Sequence, residues 1–383
     1  MAERVRELSE EARERRRTRP VLRGEAAPGN AWREYLLAAA LSQAPGPRLS
    51  APVPGGGAAA REASGDRVEQ FLKSWGPLLR HLRAGTQCES VASPISSDSG
   101  SYRLLPHLGN WDALWKASVQ YARLLAERGD YREAYERLTD LCLLGCDWCW
   151  NVTTDVEGSG LEFRRHALDE LRSLITDPRF PAELLTPLEK ELDVLDQASP
   201  ERTFTLLNNT AQVGRLLLSE PEWPPCLRIA KDDLPAFDWR HGFSRRLLAT
   251  DLFHRVDGWN RMASSAAAMP WPDAKRLHDS ITEDLREQCS AFRSVGLDSC
   301  AWAAWARATH AKVRLLRVAV HFKRSGDVLP LPDPFGGVLG HRLENHHLKV
   351  WSSGWFGRGE VTGSPWDDAD PAGSNRLVIE ADQ

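Results

Sequence analysis

The stretch Trp111-Asp-Ala-Leu-Trp115-Lys-Ala-Ser-Val119-Gln-Tyr-Ala122-Arg-Leu-Leu125-Ala-Glu-Arg-Gly129-Asp-Tyr131 decides the fold of this 383-residue chain. Trp115, Val119, Ala122 and Leu125 recur at i, i+4, i+7 and i+10, which is one face of an α-helix. Gly129-Asp-Tyr131 interrupts the pattern. Ala134, Leu138, Leu141 and Gly145 then resume the same period. Residues 111–149 therefore predict two helices folded into a hairpin, with the small residues Ala122 and Ala134 where the helices cross closely.

Downstream the theme recurs without the sequence repeating. Phe204, Leu207, Ala211, Gly214 and Leu218 form one stripe. Leu277, Ile281, Leu285, Gln288 and Phe292 form another, on a helix that opens at Pro270 and Pro272, where proline is tolerated. Trp302, Trp305, Thr309, Val313, Leu316 and Val320 make a last stripe that stops at Ser325-Gly326. Pro178, Pro200, Pro221 and Pro270 fall between these segments. The expected fold is mainly α: an irregular stack of amphipathic helical hairpins over residues 67–327.

After Gly326 the period changes. Val338–Leu343 and Leu348–Trp351, separated by Glu-Asn-His-His, predict a hairpin, and Arg376–Glu380 a third strand. Residues 328–383 are thus expected to form a small antiparallel β module resting on the final helix, with Leu343, Leu348, Val350 and Trp351 as apolar contributors and Val320 as the contact beneath.

Upstream, residues 1–43 are a charged segment and a short helix. Residues 1–19, which end Arg13-Glu-Arg-Arg-Arg-Thr-Arg19, predict a solvated helix, with a basic tether to lipid or protein as the alternative. Arg19-Pro-Val-Leu-Arg-Gly-Glu25 is extended, because the residue before proline is driven out of helix. Trp32–Ala40 is the short helix. Residues 44–66 are a Pro/Gly/Ala linker, Val68–Leu82 is helical, and Gln87–Ser101 is a Ser-rich loop.

Net charge is -4 with a pI near 6.3, which argues against nucleic-acid binding through a global basic field. Seven cysteines, an odd number in a long chain, do not make a disulfide framework. No apolar run has the length of a bilayer span, and Met1–Leu8 has no signal-peptide core. The sequence as it stands starts in the cytoplasm. A place in the cell envelope would need an anchor upstream of Met1, or a membrane partner. Fifteen tryptophans suggest large rings filling gaps between helices, or a stacking platform for glycan or peptide.

Four constellations could carry chemistry. Cys142-Leu-Leu-Gly-Cys146-Asp-Trp-Cys149 has the CxxxCxxC spacing of the cluster loop of radical S-adenosylmethionine enzymes. Its setting is an amphipathic helix, where i, i+4, i+7 puts three cysteines on one face as small apolar residues. The sulfurs are expected to be buried there. His341, His346 and His347 read as surface turn residues, since adjacent histidines in a strand point to opposite sides. Asp367, Asp368 and Asp370 read as an acidic turn, with a calcium loop, whose carboxylate density they have, as the alternative. Asp140, Asp147, Asp155 and Glu157 read as solvated surface acids. No phosphate loop, nucleophile elbow or HExxH helix is present.

Two resemblances follow. Tyr121-Ala122…Leu125…Gly129-Asp-Tyr-Arg-Glu-Ala134…Leu138…Leu141 resembles one tetratricopeptide unit, over about a tenth of the chain. Asp333-Pro-Phe-Gly-Gly337, the hairpin, Val350-Trp-Ser-Ser-Gly354 and the Asp-rich loop resemble the C-terminal β region of the major pseudopilin of type II secretion. That likeness implies a calcium site at Asp367, Asp368 and Asp370. Phe356 stands where that family carries Asp before Gly. The whole layout, with Pro20–Glu25 as a lead-in, is similar to a large set of bacterial envelope proteins. The expectation is a non-enzymatic helical scaffold for protein–protein interaction. The alternatives are a Trp-lined glycan or peptide binder and a Cys-cluster enzyme.

Overall fold

The computed structural model describes residues 1–42, 58–92, 108–150, 152, 154–199, 203–219, 242–287, 299–344, 346–353 and 378–382. Helices take up 74% of them. In chain order the elements are α1 (Ala2–Glu14), β1 (Arg17–Thr18), β2 (Ala27–Asn30), α2 (Ala31–Leu41), α3 (Ala58–Gln87), β3 (Cys88–Val91), α4 (Leu108–Arg128), α5 (Tyr131–Trp148) and α6 (Thr154–Thr176). A 3-10 turn (Ala182–Leu184) leads into α7 (Leu185–Gln197), followed by α8 (Thr203–Ser219), α9 (Gly242–Ala266), α10 (Trp271–Glu287) and α11 (Ser299–Ser325). The chain closes with β4 (Gly340–Glu344), β5 (His347–Trp351) and β6 (Val378–Asp382).

The hairpin α4–α5 forms where the periodicity places it. Gly129 makes the turn with φ +94°, a conformation that glycine adopts without steric penalty. Ala122 and Ala134 are buried at the crossing. The next crossing, α5 on α6, is closer still. A Cβ built on Gly145 would sit 2.6 Å from the carbonyl oxygen of Gly160, and one on Gly160 would sit 2.6 Å from Cys149 Sγ. Trp32, Trp111 and Trp148 meet in the core between α2, α4 and α5, with ring centroids of Trp111 and Trp148 3.8 Å apart.

The amino-terminal segment departs from expectation. Helix α1 is not solvated: Val5, Leu8 and Ala12, at i, i+3, i+7, are buried, and Gly214 of α8 provides the clearance for Val5. Its other face is charged, as the sequence requires. Residues 58–66, read as the end of a linker, belong to α3, and residues 43–57 lie outside the described residues. The start of the Ser-rich loop is strand β3, which pairs antiparallel with β1 and parallel with β2. These short strands lack the period-2 run from which strands are read.

Two apolar stripes are also corrected. On α8 the buried positions are Thr205, Leu206, Asn208, Asn209, Thr210, Ala211 and Gly214, whereas Leu218 is exposed and Leu207 half-buried, and the side chain of Phe204 lies outside the described residues. On α10 they are Trp271, Ala274, His278 and Ile281, with Leu277 half-buried; the side chain of Leu285, and Gln288 and Phe292, lie outside the described residues. Each true stripe runs through polar or small residues that an apolar count passes over.

The carboxyl-terminal sheet has the order β4-β5-β6, antiparallel throughout. Leu348 and Val350 are buried, Trp351 is partly covered, and Leu343 on the outer strand is 50% exposed, against expectation. Strands β5 and β6 lie against α11, on which Val320 is buried. Among the described residues, no helix is long and apolar enough to cross a membrane.

Candidate functional site

The place where the β module meets the helical body carries the densest polar chemistry. It is built from a row that the sequence reading overlooked: Arg307, His310, Arg314, Arg317, His321 and Arg324 recur at intervals of three and four on α11, one helical face. The facing row on α7 is Glu189, Asp193 and Asp196. Asp196 accepts from His310 Nε2 at 2.5 Å, Arg314 Nε at 2.7 Å and Arg317 Nη1 at 3.1 Å. Glu189 accepts from Arg324 Nε and pairs with His321 Nδ1, both at 2.7 Å. Burial works against the charge of Asp196, but the bonds from His310 and Arg314 outweigh it and hold the carboxyl at about 2. Burial lowers the His310 pKa despite its bond to Asp196. The signal was available as two matched charge rows of heptad spacing.

The first residue of the row, Arg307, faces the Asp-Pro-Phe-Gly-Gly turn. Its Nη1 donates to Pro334 O at 2.8 Å, and its Nη2 donates to Ala266 O at 3.0 Å and Met269 O at 2.9 Å. These last carbonyls close the end of α9, where a cation is favoured. Arg307 also lies over the Trp271 ring at 5.2 Å, and Trp271 meets Phe335 edge-on at 5.5 Å. Arg314 Nη1 adds a bond to Pro332 O at 2.8 Å. Two arginines thus fasten the turn to the body.

Asp333 fastens the turn to its own sheet. It accepts from Phe335 N at 3.0 Å, Ser352 Oγ at 2.8 Å, Ser353 N at 2.6 Å and Ser353 Oγ at 2.8 Å. The two halves of the carboxyl-terminal signature, Asp333-Pro-Phe-Gly-Gly337 and Val350-Trp-Ser-Ser353, are therefore one hydrogen-bonded unit. Gly336 and Gly337, at φ +121° and +76°, turn the chain back between them.

Between this turn, α6, α11 and the α9–α10 corner lies a cavity of about 490 Å³. Its polar lining includes Arg164, Glu157, His278, Arg307, His310 and Asp333. Its apolar wall is made largely of alanine, including Ala263, Ala266, Ala303 and Ala306. Arg164, on α6, is 1% exposed. Its Nη2 donates to Ser199 Oγ at 2.8 Å, and its Nε has no acceptor.

The acids expected at the surface are inside. Asp147 is fully buried and takes a two-pronged bond from Arg19, Nε at 2.8 Å and Nη2 at 2.7 Å, with Tyr35 Oη donating at 2.6 Å. Burial works against the Arg19 charge, but Asp147 more than compensates and its pKa rises. Asp140, also fully buried, bonds Arg23 and accepts from Arg83 Nε and Thr86 Oγ1 at 3.0 Å each. Arg23 also bonds Glu191, whose carboxyl is pushed by burial up to about 7. The Arg19-Pro-Val-Leu-Arg23 lead-in is thus a cross-link through the core. Glu157 is buried too, while the side chain of Asp155 lies outside the described residues.

Cys142, Cys146 and Cys149 are buried on the α5 face that meets α6, with Cys149 as the residue closing the helix. Cys142 Sγ and Cys149 Sγ reach different carbonyls of α6, those of Arg164 at 3.9 Å and Glu157 at 3.4 Å. Burial raises the Cys142 and Cys146 thiols above their ordinary pKa, which disfavours the reactive thiolate. His341 is exposed on β4, and His346 has φ +66° in the hairpin turn. Among the described residues, no three His, Cys, Asp or Glu side chains converge as a metal site would require. Asp367, Asp368 and Asp370 lie outside the described residues. Compared with protein-family models, curated proteins and solved structures, the chain finds no match.

Proposed function

We propose that this chain is a non-enzymatic helical scaffold that binds a protein partner in a bacterial envelope or assembly system, presenting its carboxyl-terminal β module to that partner. The observation that carries the reading is the outer strand β4. The module is fastened to the body through Arg307, Arg314 and the inner strands, while His341, Arg342, Leu343 and Glu344 stand exposed, with Val338 just before them 62% exposed. Among the described residues no strand pairs with the outer edge of β4, and such an edge offers its hydrogen-bonding groups to an extended segment of another chain.

The tetratricopeptide-like hairpin at 111–149 and the pseudopilin-like module at 328–383 belong to this reading. So does calcium at Asp367, Asp368 and Asp370, which a calcium titration followed by thermal melting would test. The use of the buried ionic residues supports it as well: Arg19, Arg23, Asp140, Asp147 and Glu191 hold the body together. Trp32, Trp75, Trp111, Trp148, Trp259 and Trp271 are packed inside, which favours this reading over a Trp-lined binding face. The placement of Cys142 and Cys149 on one helix, each sulfur on a different carbonyl of α6, favours it over a Cys-cluster enzyme.

A photo-crosslinking residue at Leu343, compared with one at the exposed Leu247 of α9, tests the proposal in native cells. The reading expects one discrete protein adduct from position 343 that is absent from position 247. The purified partner should then bind the whole chain and lose affinity at least tenfold when Leu343 is replaced by proline. Equal, diffuse labelling from both positions would overturn it.

A further inference from the structure

We propose that the cavity between α6, α11 and the Asp-Pro-Phe-Gly-Gly turn binds a small organic acid, with its oxyanion on Arg164 and its apolar part against the alanine wall. The inference is independent of the partner-binding reading, because it concerns a cleft between α6 and α11 and not the strand edge of β4.

The argument starts from an imbalance. A guanidinium taken out of water loses several kcal/mol of solvation unless an anion replaces it. Three other arginines of the body have replacements. Arg19 has Asp147, Arg314 has Asp196, and Arg307 has a set of main-chain carbonyls. Arg164 is as buried as Arg19, yet among the described residues no carboxylate pairs with it. A serine hydroxyl takes one donor and Nε has no acceptor. The stem of Arg164 passes over Gly145, whose missing side chain makes the room, so the α5–α6 crossing holds the guanidinium at the cavity wall.

The rest of the cavity fits an acid with a short apolar body. Its volume, about 490 Å³, lies within the range of small-molecule pockets, roughly 300–1,000 Å³. Ala263, Ala266, Ala303 and Ala306 leave space where larger residues would close it. Glu157 and Asp333 line the same cavity and would repel a second negative charge, so one oxyanion head is favoured over two. Carboxylate and phosphate share the bidentate geometry a guanidinium recognises, and the test separates them.

The whole chain would be melted with increasing hexanoate, hexyl phosphate, inorganic phosphate or hexanol, each against sodium chloride of equal ionic strength, with calorimetric titration of any that respond. A saturable rise in Tm with hexanoate or hexyl phosphate, at least several-fold larger than with hexanol or chloride, is the expected result. Which of the two responds identifies the head group. Arg164→Gln should abolish the rise and Arg164→Lys retain part of it. Should Arg164→Gln not fold, Ala306→Phe, which fills the cavity from a half-exposed position, decides. No response beyond chloride, a response to hexanol alone or to inorganic phosphate alone, or an undiminished response in Ala306→Phe would overturn the proposal.

Discussion

Arg19 and Asp147 form a fully buried ion pair across 128 positions of sequence, Nε to Oδ1 at 2.8 Å and Nη2 to Oδ2 at 2.7 Å. Tyr35 Oη completes the Asp147 shell, and the carbonyls of Gly85 and Thr86 accept from Arg19 at 3.1 and 3.2 Å. One pair thereby ties the amino-terminal lead-in to α2, α3 and α5. Replacing Asp147 with Asn leaves a buried guanidinium with a neutral partner. Arg19→Met leaves a buried carboxylate. Each should cost about 3–5 kcal/mol in denaturant unfolding. The double variant Arg19→Met/Asp147→Leu should cost less than either single variant, since no charge is stranded.

The Arg23 cluster predicts a pH dependence. Glu191, among Arg23, Thr139, Asp140 and Glu136, has a folded-state pKa of about 7 against an ordinary 4.5. The folded state therefore holds that proton longer than the unfolded chain. The contribution is fully present below about 4.5 and is lost as pH rises through 7, by about 3 kcal/mol. His310, lowered by burial, acts in the opposite sense over an overlapping range. The difference between wild type and Glu191→Gln isolates the effect: the variant should gain relative stability from pH 5 to pH 8. A constant difference across that range would contradict it. At the acid end, Asp196 at about 2 contributes stability that is present above its ordinary 3.8 and lost as pH falls through 2.

Gly145 predicts a steric limit. An added methyl group would stand 2.6 Å from the Gly160 carbonyl and 2.5 Å from Arg164 Cγ. The first of these atoms is backbone and cannot swing away. Gly145→Ala should therefore destabilise by about 1–3 kcal/mol, although alanine is the better helix former. Ala134→Gly, at the other crossing, should destabilise through propensity and lost packing instead.

Arg307 and Asp333 predict how the β module is held. Asp333→Ala removes the acceptor of four donors, of which Phe335 N and Ser352 Oγ lie in buried positions. Arg307→Ala frees the turn from the α9–α10 corner. Both variants should cost about 2–4 kcal/mol at the module and speed proteolysis between residues 326 and 353. Cleavage of the α4–α5 hairpin should speed up as well, because the module and the core open as one body.

Much of this fold was legible in the sequence. The α4–α5 hairpin, the break at Gly129, the burial of Ala122 and Ala134, and the antiparallel carboxyl-terminal strands follow from periods of 3.6 and 2 and from glycine placement. What was not legible depended on partners distant in sequence. Asp140 and Asp147 look like surface acids until Arg19 and Arg23 arrive from more than a hundred positions away. Helix α1 looks solvated because its charges outnumber Val5, Leu8 and Ala12, yet three residues on one face suffice when Gly214 stands opposite. The α7–α11 charge rows were readable by spacing alone. Arg164 was not, because an unmatched buried cation is defined by what surrounds it.

The central claim is that the lead-in and the carboxyl-terminal turn are built into the same cooperative body as the helical core. Native-state hydrogen exchange across the whole chain tests it most directly. The account predicts that the amides of Arg19, Ala134, Trp271 and Leu339, all bonded to main-chain carbonyls, exchange only through the largest openings of the molecule, with similar protection. Rapid exchange of Arg19 or Leu339 beside a protected Ala134 would contradict it, and would reduce the lead-in or the β module to an appendage.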